Sequence, residues 1–381
     1  MSFNVRKLPE VARITMGQAP DSSSYNEEGI GIPLIAGAGD LDKKFPKPAK
    51  FTTEPSKKSK EDDIIMCIRA TIGDLNWADK EYALGRGVAA LTPLPCIDKK
   101  YLWYWLKTKR EYFISKGRGA TFLQISKSDL ENADIVLPEI TKQVYAVSVL
   151  EKVDCIIEKR DSIIEKLYEL KKSLFNKMFG DPELNTKNWP IHKMSDLCSI
   201  TAPIVDPKKQ EYRDFFNIGS ANIESKTGRL LNFKTVEEDN AISVKFHVSK
   251  EHILYSKIRP KLEKVTTVPD GNFLCSADIY PISPKENVTN QCFLKYLLLS
   301  EYFTEKATLI AESRANIPKI NRGEIESIVA FLPPFSLQEE FGRWVKVIDL
   351  LIIKNMESKS KTLILYDSLI DSYFHKIDVE G

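Results

Sequence analysis

The chain is poor in the residues from which metal and covalent chemistry is usually built. It has four histidines (His192, His247, His252, His375), none at metal or triad spacing from another candidate ligand. Its six cysteines (Cys67, Cys96, Cys155, Cys198, Cys275, Cys292) form no Cys-x-x-Cys pair and have no histidine at ligand spacing. That pattern predicts isolated thiols in a reducing cytoplasm rather than a zinc site. Long apolar runs are also missing. The most hydrophobic stretch, 345–353, is interrupted by Lys346 and Asp349, and the opening MSFNVRKLPEV lacks a signal-length apolar core, so neither a membrane span nor a leader is expected. Nor is there an excess of one charge. With 55 basic against 53 acidic residues, the net charge of +2 neither demands nor excludes a nucleic acid, and distribution must decide. Gly37-Ala38-Gly39 and Gly85-Arg86-Gly87 are not followed by Gly-Lys-Ser/Thr, which argues against a nucleotide loop.

What is present is a duplication. The 381 residues, 43% apolar and 28% charged, are enough for two or three domains with their own cores. A long amphipathic run at 143–179 is echoed at 338–374. Each copy opens with Leu-Pro (Leu137-Pro138, Leu332-Pro333), then a glutamine (Gln143, Gln338), an aspartate (Asp154, Asp349) and, at its end, a phenylalanine (Phe179, Phe374), all 195 positions apart. In the first copy the heptad stripe reads Leu150, Ile157, Ile164, Lys171, Met178 with Val153, Arg160, Leu167, Leu174. In the second it reads Val345, Ile352, Lys359, Tyr366, Tyr373 with Ile348, Asn355, Thr362, Leu369. Such helices span roughly 50 Å each and cannot hide their stripes alone. The expectation is that they pair with each other, antiparallel, through Leu150, Ile157, Arg160, Ile164, Leu167, Leu174, Ile348, Ile352, Asn355 and Leu369, with Arg160 and Asn355 meeting mid-way to set register.

A second repeat brackets the rest. FNVRKLPEVARI, from Phe3, is matched by WPIHKMSDLCSI, from Trp189, 186 positions on, so about nine residues have been gained inside the second half. Between these frames, β-type runs fall at 32–36, 64–68 and 87–91 and again at 215–218, 253–258 and 278–282, with aromatic helices at 101–113 and 292–303. Alternation along the strands is weak. The fold class is therefore α/β (α+β): two similar globular domains, 1–142 and 181–337, each followed by a long helix, 143–180 and 338–381, with a pseudo-twofold internal repeat. Gly180 and Pro182 stop the first helix.

Both globular parts carry mixtures of cations and small polar residues suited to DNA phosphates and base edges. In the first they are Lys43, Lys44, Lys57, Lys58, Arg69, Thr71, Arg86, Lys116, Arg118, Thr121 and Gln124. In the second they are Lys208, Lys209, Arg229, Lys257, Arg259, Lys261, Arg314, Asn316 and Lys319. Arg118 and Arg314 fall at nearly equivalent places before the two Leu-Pro frames. A competing motif, Asp21 with Asp42 and Lys44, fits the loose spacing of a Mg-dependent nuclease, and a coiled-coil adaptor without a DNA role is a third reading.

The segments 68–93 (IRATIGDLNWADKEYALGRGVAALTP) and 117–143 (GRGATFLQISKSDLENADIVLPEITKQ) resemble the specificity subunits of Type I restriction-modification systems. So do 257–284 (KIRPKLEKVTTVPDGNFLCSADIYPISP) and 325–341 (IESIVAFLPPFSLQEEF), and the order of globular part, helix, globular part, helix is that family's order. The resemblance implies a non-catalytic subunit with two target-recognition domains. These would read a two-part, asymmetric site on double-stranded DNA, held apart by antiparallel helices that dock methyltransferase subunits. It further implies S-adenosylmethionine on those partners, ATP and Mg on motor-nuclease subunits, and no cofactor on this chain. Thr121 and Gln124 depart from the family pattern, being separated by Phe122-Leu123, and the second half has no glycines at Arg314-Ala315-Asn316.

Overall fold

The computed structural model of the chain describes residues 4–119, 121–312 and 317–375. It divides into two compact units, Met1–Lys159 with Lys359–Gly381, and Arg160–Ser358. The division differs from the four consecutive segments expected, because each unit takes a globular head together with part of both long helices.

In the first unit, Asn4–Lys7 pairs antiparallel with Asp134–Leu137, tying the start of the head to its exit. A short helix, Leu8–Val11, leads into Ala12–Met16, the edge of a four-stranded antiparallel sheet that continues through Val88–Pro93, Ile64–Cys67 and Leu75–Trp77. Strand Ile64–Cys67 is buried on both faces. Ile64 and Met66 enter the main core with Trp105 and Phe113, while Ile65 and Cys67 enter a smaller one with Ile35 and Tyr82. That double burial replaces polar with apolar residues on the second face and explains the weak alternation.

The second unit repeats the plan. Ile191–Lys193 pairs with Val329–Phe331, helix Met194–Leu197 follows, and a sheet runs Cys198–Ile200, Ile279–Pro284, Ile253–Ser256, Val265–Thr267 in the same order as its counterpart. The inner sheets differ. The first is built of short strands (Tyr25–Asn26, Phe51–Thr52, Ile32–Ile35, Ala83–Leu84), whereas the second has five: Ile204–Val205, Lys245–Val248, Phe273–Ser276, Phe216–Ile218 and Lys234–Thr235.

Each expected aromatic helix is two helices, and the break falls at a similar place in both heads. Lys99–Thr108 stops at Lys109, whose ψ of 6° leaves the helical range before Arg110–Lys116 begins. Gln291–Leu298 stops likewise, and the Ser300 hydroxyl caps the next helix, Glu301–Glu312, by accepting from the Phe303 N–H at 3.2 Å.

The long helices run Ile140–Phe179 and Phe335–Ile370, each starting three residues before the expected 143 and 338. In the first unit, the opening of the first helix (Ala146, Val147, Leu150) shares a core with the end of the second (Tyr366, Leu369, Ile370, Tyr373, Phe374). In the second unit the order is reversed. Ile164, Leu167 and Leu174, from the later part of the first helix, pack with Ile348, Ile352 and Met356 of the second. This contact order is antiparallel. Ile157 is half-buried on the same stripe.

One detail of the expected seam is corrected. Asn355 donates to the Leu351 carbonyl of its own helix at 2.8 Å, and the buried Nε of Arg160 has no hydrogen-bond partner. A polar contact between the helices is made instead by Lys171 Nζ and Asp349 Oδ1 at 2.7 Å, with the lysine side chain only 6% exposed and its ammonium over the Tyr168 ring. A long flexible lysine can cross the seam to reach a carboxylate, whereas the shorter asparagine is satisfied by its own backbone.

Candidate nucleic-acid interface

In both heads the strand buried on both faces emits a loop that is stitched to the segment leaving the helices. In the first, the Ile125 N–H donates to Ile68 O at 3.0 Å and the Ala70 N–H to Leu123 O at 2.9 Å. In the second, the Ile320 N–H donates to Lys257 O at 3.0 Å and the Arg259 N–H to Pro318 O at 2.8 Å. Ala70 (φ 63°) and Arg259 (φ 51°) occupy the same step of the stitch, and both are held in the left-handed region. For residues with a Cβ that conformation costs about 1–2 kcal/mol. Such strain persists only where the surroundings enforce it, and it clusters at functional loops.

The first head's stitch gathers several of the expected residues. Arg118 and Gln124 exchange both backbone hydrogen bonds at 2.9 Å, making a small hairpin whose strand also bridges to Arg69. The Arg69 guanidinium lies over the Phe122 ring, 5.7 Å from its centre. Arg118 stays largely exposed while contacting Asp129 Oδ1 at 3.0 Å. The Asp129 carboxyl is held below its usual range, chiefly by the Ser126 hydroxyl, so it remains an anion able to orient Arg118. Lys116, Thr71 and Thr121 are exposed on the same stretches.

Arg86 reaches this neighbourhood through a tight turn. Its flanking Gly87 accepts from the Ile68 N–H at 2.9 Å, and a Cβ on Gly87 would lie 2.4 Å from Ala36 O, so Arg86 is the one residue of that turn pointing outward. Lys57 and Lys58 run beside Ala83 and Leu84, just before the turn, with Lys58 paired to Glu81 at 3.0 Å. Lys43 and Lys44 are exposed elsewhere on the head, Lys44 over Phe45.

The second head gathers fewer. Arg259 and Lys261 are exposed on the stitched loop. Lys257 is turned inward. Its side chain is 12% exposed, it donates to the Ala277 carbonyl, it lies 3.5 Å from Asp278, and desolvation lowers its ammonium pKa. Lys319 shares that aspartate at 3.7 Å. Arg229 is bound to Glu224 at 2.8 Å and half-buried, which gives it a structural role in its own turn. Lys208 and Lys209 are exposed away from the stitch. Arg314 and Asn316 lie outside the described residues.

Two residues of the site are apolar and were not expected there. Phe122 and Ile317, 195 positions apart, are each 55% exposed at the outer end of a stitch. The equal offset was the available signal. The acids of the nuclease motif, by contrast, serve local structure. Asp21 caps the turn Ser22–Ser24 by accepting from the Ser23 N–H at 2.9 Å, and Asp42 pairs with Lys47 at 2.7 Å. Among the described residues no three His, Cys, Asp or Glu gather as a metal would require, and no helix is long and apolar enough to cross a membrane.

The resemblance read from the sequence is borne out by comparison. The model of the Type I restriction modification DNA specificity domain matches residues 2–168. The chain is 36% identical over 168 residues to the putative type I restriction enzyme MjaX specificity subunit of Methanocaldococcus jannaschii, covering 43% of this chain and 39% of that one. It is 27% identical over 288 residues to the EcoDI specificity subunit of Escherichia coli, covering 66% and 62%. These matches span less than two thirds of either relative's length. The crystal structure of a Type-I restriction-modification system S subunit from M. genitalium superimposes with a TM-score of 0.57 at 17% identity, over 99% of this chain and 97% of that one, which shows a shared fold.

Proposed function

We propose, from a first half that belongs to the Type I restriction-modification DNA specificity domain, that the chain is the DNA-reading subunit of such a system. It reads a two-part site on double-stranded DNA, one part per head, and has no catalytic centre of its own. The carrying observation is the stitched, left-handed loop that recurs on the same sheet in both heads and presents exposed cations beside it: Arg69, Arg86 and Arg118 in one, Arg259 and Lys261 in the other. A braced loop holds side chains at fixed positions without spending entropy on binding, as base-edge contacts require. Because the stitched loops carry different side chains, the two half-sites differ.

The long helices fit a scaffold for methyltransferase subunits. Ile156, Ile163 and Leu170 recur every seven residues on the first helix, and Trp344 and Leu351 do so on the second, all between 44% and 53% exposed. A stripe of that kind, continuous along a helix and unused by the antiparallel seam, suits a docked partner. S-adenosylmethionine belongs to those methyltransferase partners, and ATP and Mg to motor-nuclease subunits.

The test is methylome sequencing of the host with and without this chain, with duplex binding by the purified chain and its modification subunit. Loss of one bipartite methylation motif and binding that weakens steeply with salt are expected. Mg-dependent cleavage by the isolated chain, abolished by Asp42→Ala, would support the nuclease reading instead. DNA affinity unmoved by Arg69→Glu with Arg118→Glu would favour the adaptor.

A further inference from the structure

We infer that Phe122 is an apolar wedge that enters a base step in the half-site read by the first head, an inference that rests on the DNA-reading role proposed above. The ring stands 55% exposed, on backbone fixed from three sides. Arg118 and Gln124 close the hairpin beneath it, the Leu123 carbonyl accepts from Ala70, and the chain folds back tightly at Gly119. Gly119 has φ +136°, and a Cβ there would lie 2.3 Å from the Phe122 carbonyl oxygen, so only glycine lets the tip close. A large ring held out in water by so much bracing is placed for something that covers it.

The surroundings identify what covers it. Arg69 lies over one face of the ring, and exposed Lys116 and Arg118 stand on the adjoining stretches. A ring with a guanidinium on one face, on a loop whose neighbouring stretches carry further exposed cations, suits a polyanion that also offers flat apolar surface, and duplex DNA does so at an unstacked step. Phe122 itself can neither donate nor accept a base-edge hydrogen bond. The second head supports the reading independently: Ile317 is equally exposed, and the carbonyl of the following residue, Pro318, accepts from Arg259 as that of Leu123 does from Ala70. Two heads with different inner sheets thus keep an outward apolar residue at one position, where a smaller aliphatic chain makes a shallower wedge.

The full chain, with its modification subunits, is used to enrich a random-sequence duplex library, in parallel with Phe122→Ala, Phe122→Leu and Ile317→Ala. The wild type is expected to enrich a two-part motif. Phe122→Ala should weaken binding to it by roughly 5- to 150-fold, the equivalent of about 1–3 kcal/mol for one stacked base, and flatten preference at one step of one half-site. Phe122→Leu should keep part of the effect, and Ile317→Ala should act on the other half-site. The fluorescence of 2-aminopurine placed at the affected step should rise with the wild type and stay quenched with Phe122→Ala. Unchanged affinity and motif for Phe122→Ala, with 2-aminopurine quenched throughout, overturns the wedge and leaves the reading role standing. Loss of the modification subunits from the Phe122→Ala complex makes the ring a protein contact, which also overturns it. A wild type that enriches no motif overturns the reading role and the wedge together.

Discussion

The two heads agree in one sheet and disagree in the other. The outer sheets have the same strand order, the same entry helix and the same closing pair of strands, while the inner sheets differ in strand number and length. Burial separates them too. The outer sheet shares the core into which a long helix packs, and in each unit a phenylalanine at or just past the end of one long helix is buried there: Phe374 beside Tyr101 in the first, Phe179 against Phe293 in the second. A sheet joined to that core cannot drift without disturbing the helices, whereas the inner sheet packs only on the smaller core behind the outer sheet and is freer to be rebuilt.

The largest effect expected to test this comparison comes from a matched pair of buried glutamines. Gln143 accepts from the Asp98 N–H at 2.8 Å and donates to the carbonyls of Cys96 (3.2 Å) and Pro138 (2.8 Å). Gln338 accepts from the Asn290 N–H at 2.9 Å and donates to Val288 (3.1 Å) and Pro333 (2.9 Å). Each joins the cap of the first helix of its pair to the base of a long helix. Replacing either by alanine removes three bonds and strands the cap N–H and two carbonyls, costing about 3–5 kcal/mol. Chemical denaturation should give the two variants similar losses. A severe Gln143→Ala beside a silent Gln338→Ala would mean that the frames are alike in outline only.

The next comparison should come out unequal. Asp349 neutralises Lys171, whose side chain is 6% exposed, so Asp349→Ala leaves a buried ammonium without its carboxylate. Its counterpart Asp154 accepts from the Tyr104 hydroxyl at 2.6 Å, and there the position equivalent to Lys171 is Tyr366. The half-exposed carboxylate tempers the first loss to about 2–3 kcal/mol. Asp154→Ala should cost nearer 1 kcal/mol, the worth of one hydrogen bond. Equal destabilisation would show that the charged seam of the second unit adds nothing beyond the neutral one.

Sequence patterning revealed the helices far better than the heads. The heptad stripe survives because one side of each rod is covered and the other is not, from Leu150 and Val153 to Ile348 and Ile352. Six strand positions were legible from their β-branched composition, but their sheet order was not. Ile64–Cys67 and Ile253–Ser256 are fully buried, and two-residue strands such as Tyr25–Asn26 are too short for any period. Charge alone also failed to separate the exposed cations of the candidate site from structural ones. Arg229 and Lys257 look like Arg69 in sequence, yet Glu224 and Asp278 hold them inward, and those partners follow from turns that only the folded backbone defines.

The smallest effect isolates the stitch itself. Ala70 and Arg259 share a left-handed backbone but carry different side chains, so glycine at either position relieves the same strain. Relief of about 1–2 kcal/mol is offset by the 0.5–1 kcal/mol that glycine's chain freedom costs, leaving both variants more stable by roughly 1 kcal/mol or less. Their DNA behaviour should part. Ala70→Gly removes no charge and should leave the salt dependence of binding unchanged, whereas Arg259→Gly removes an exposed cation and should lower the slope of log affinity against log salt by about 1 if that cation meets a phosphate. Loss of stability in both would place the left-handed turn among rigid structural features. A changed salt slope in Ala70→Gly would mean that backbone freedom at the stitch, rather than the cation it presents, sets how the head meets DNA.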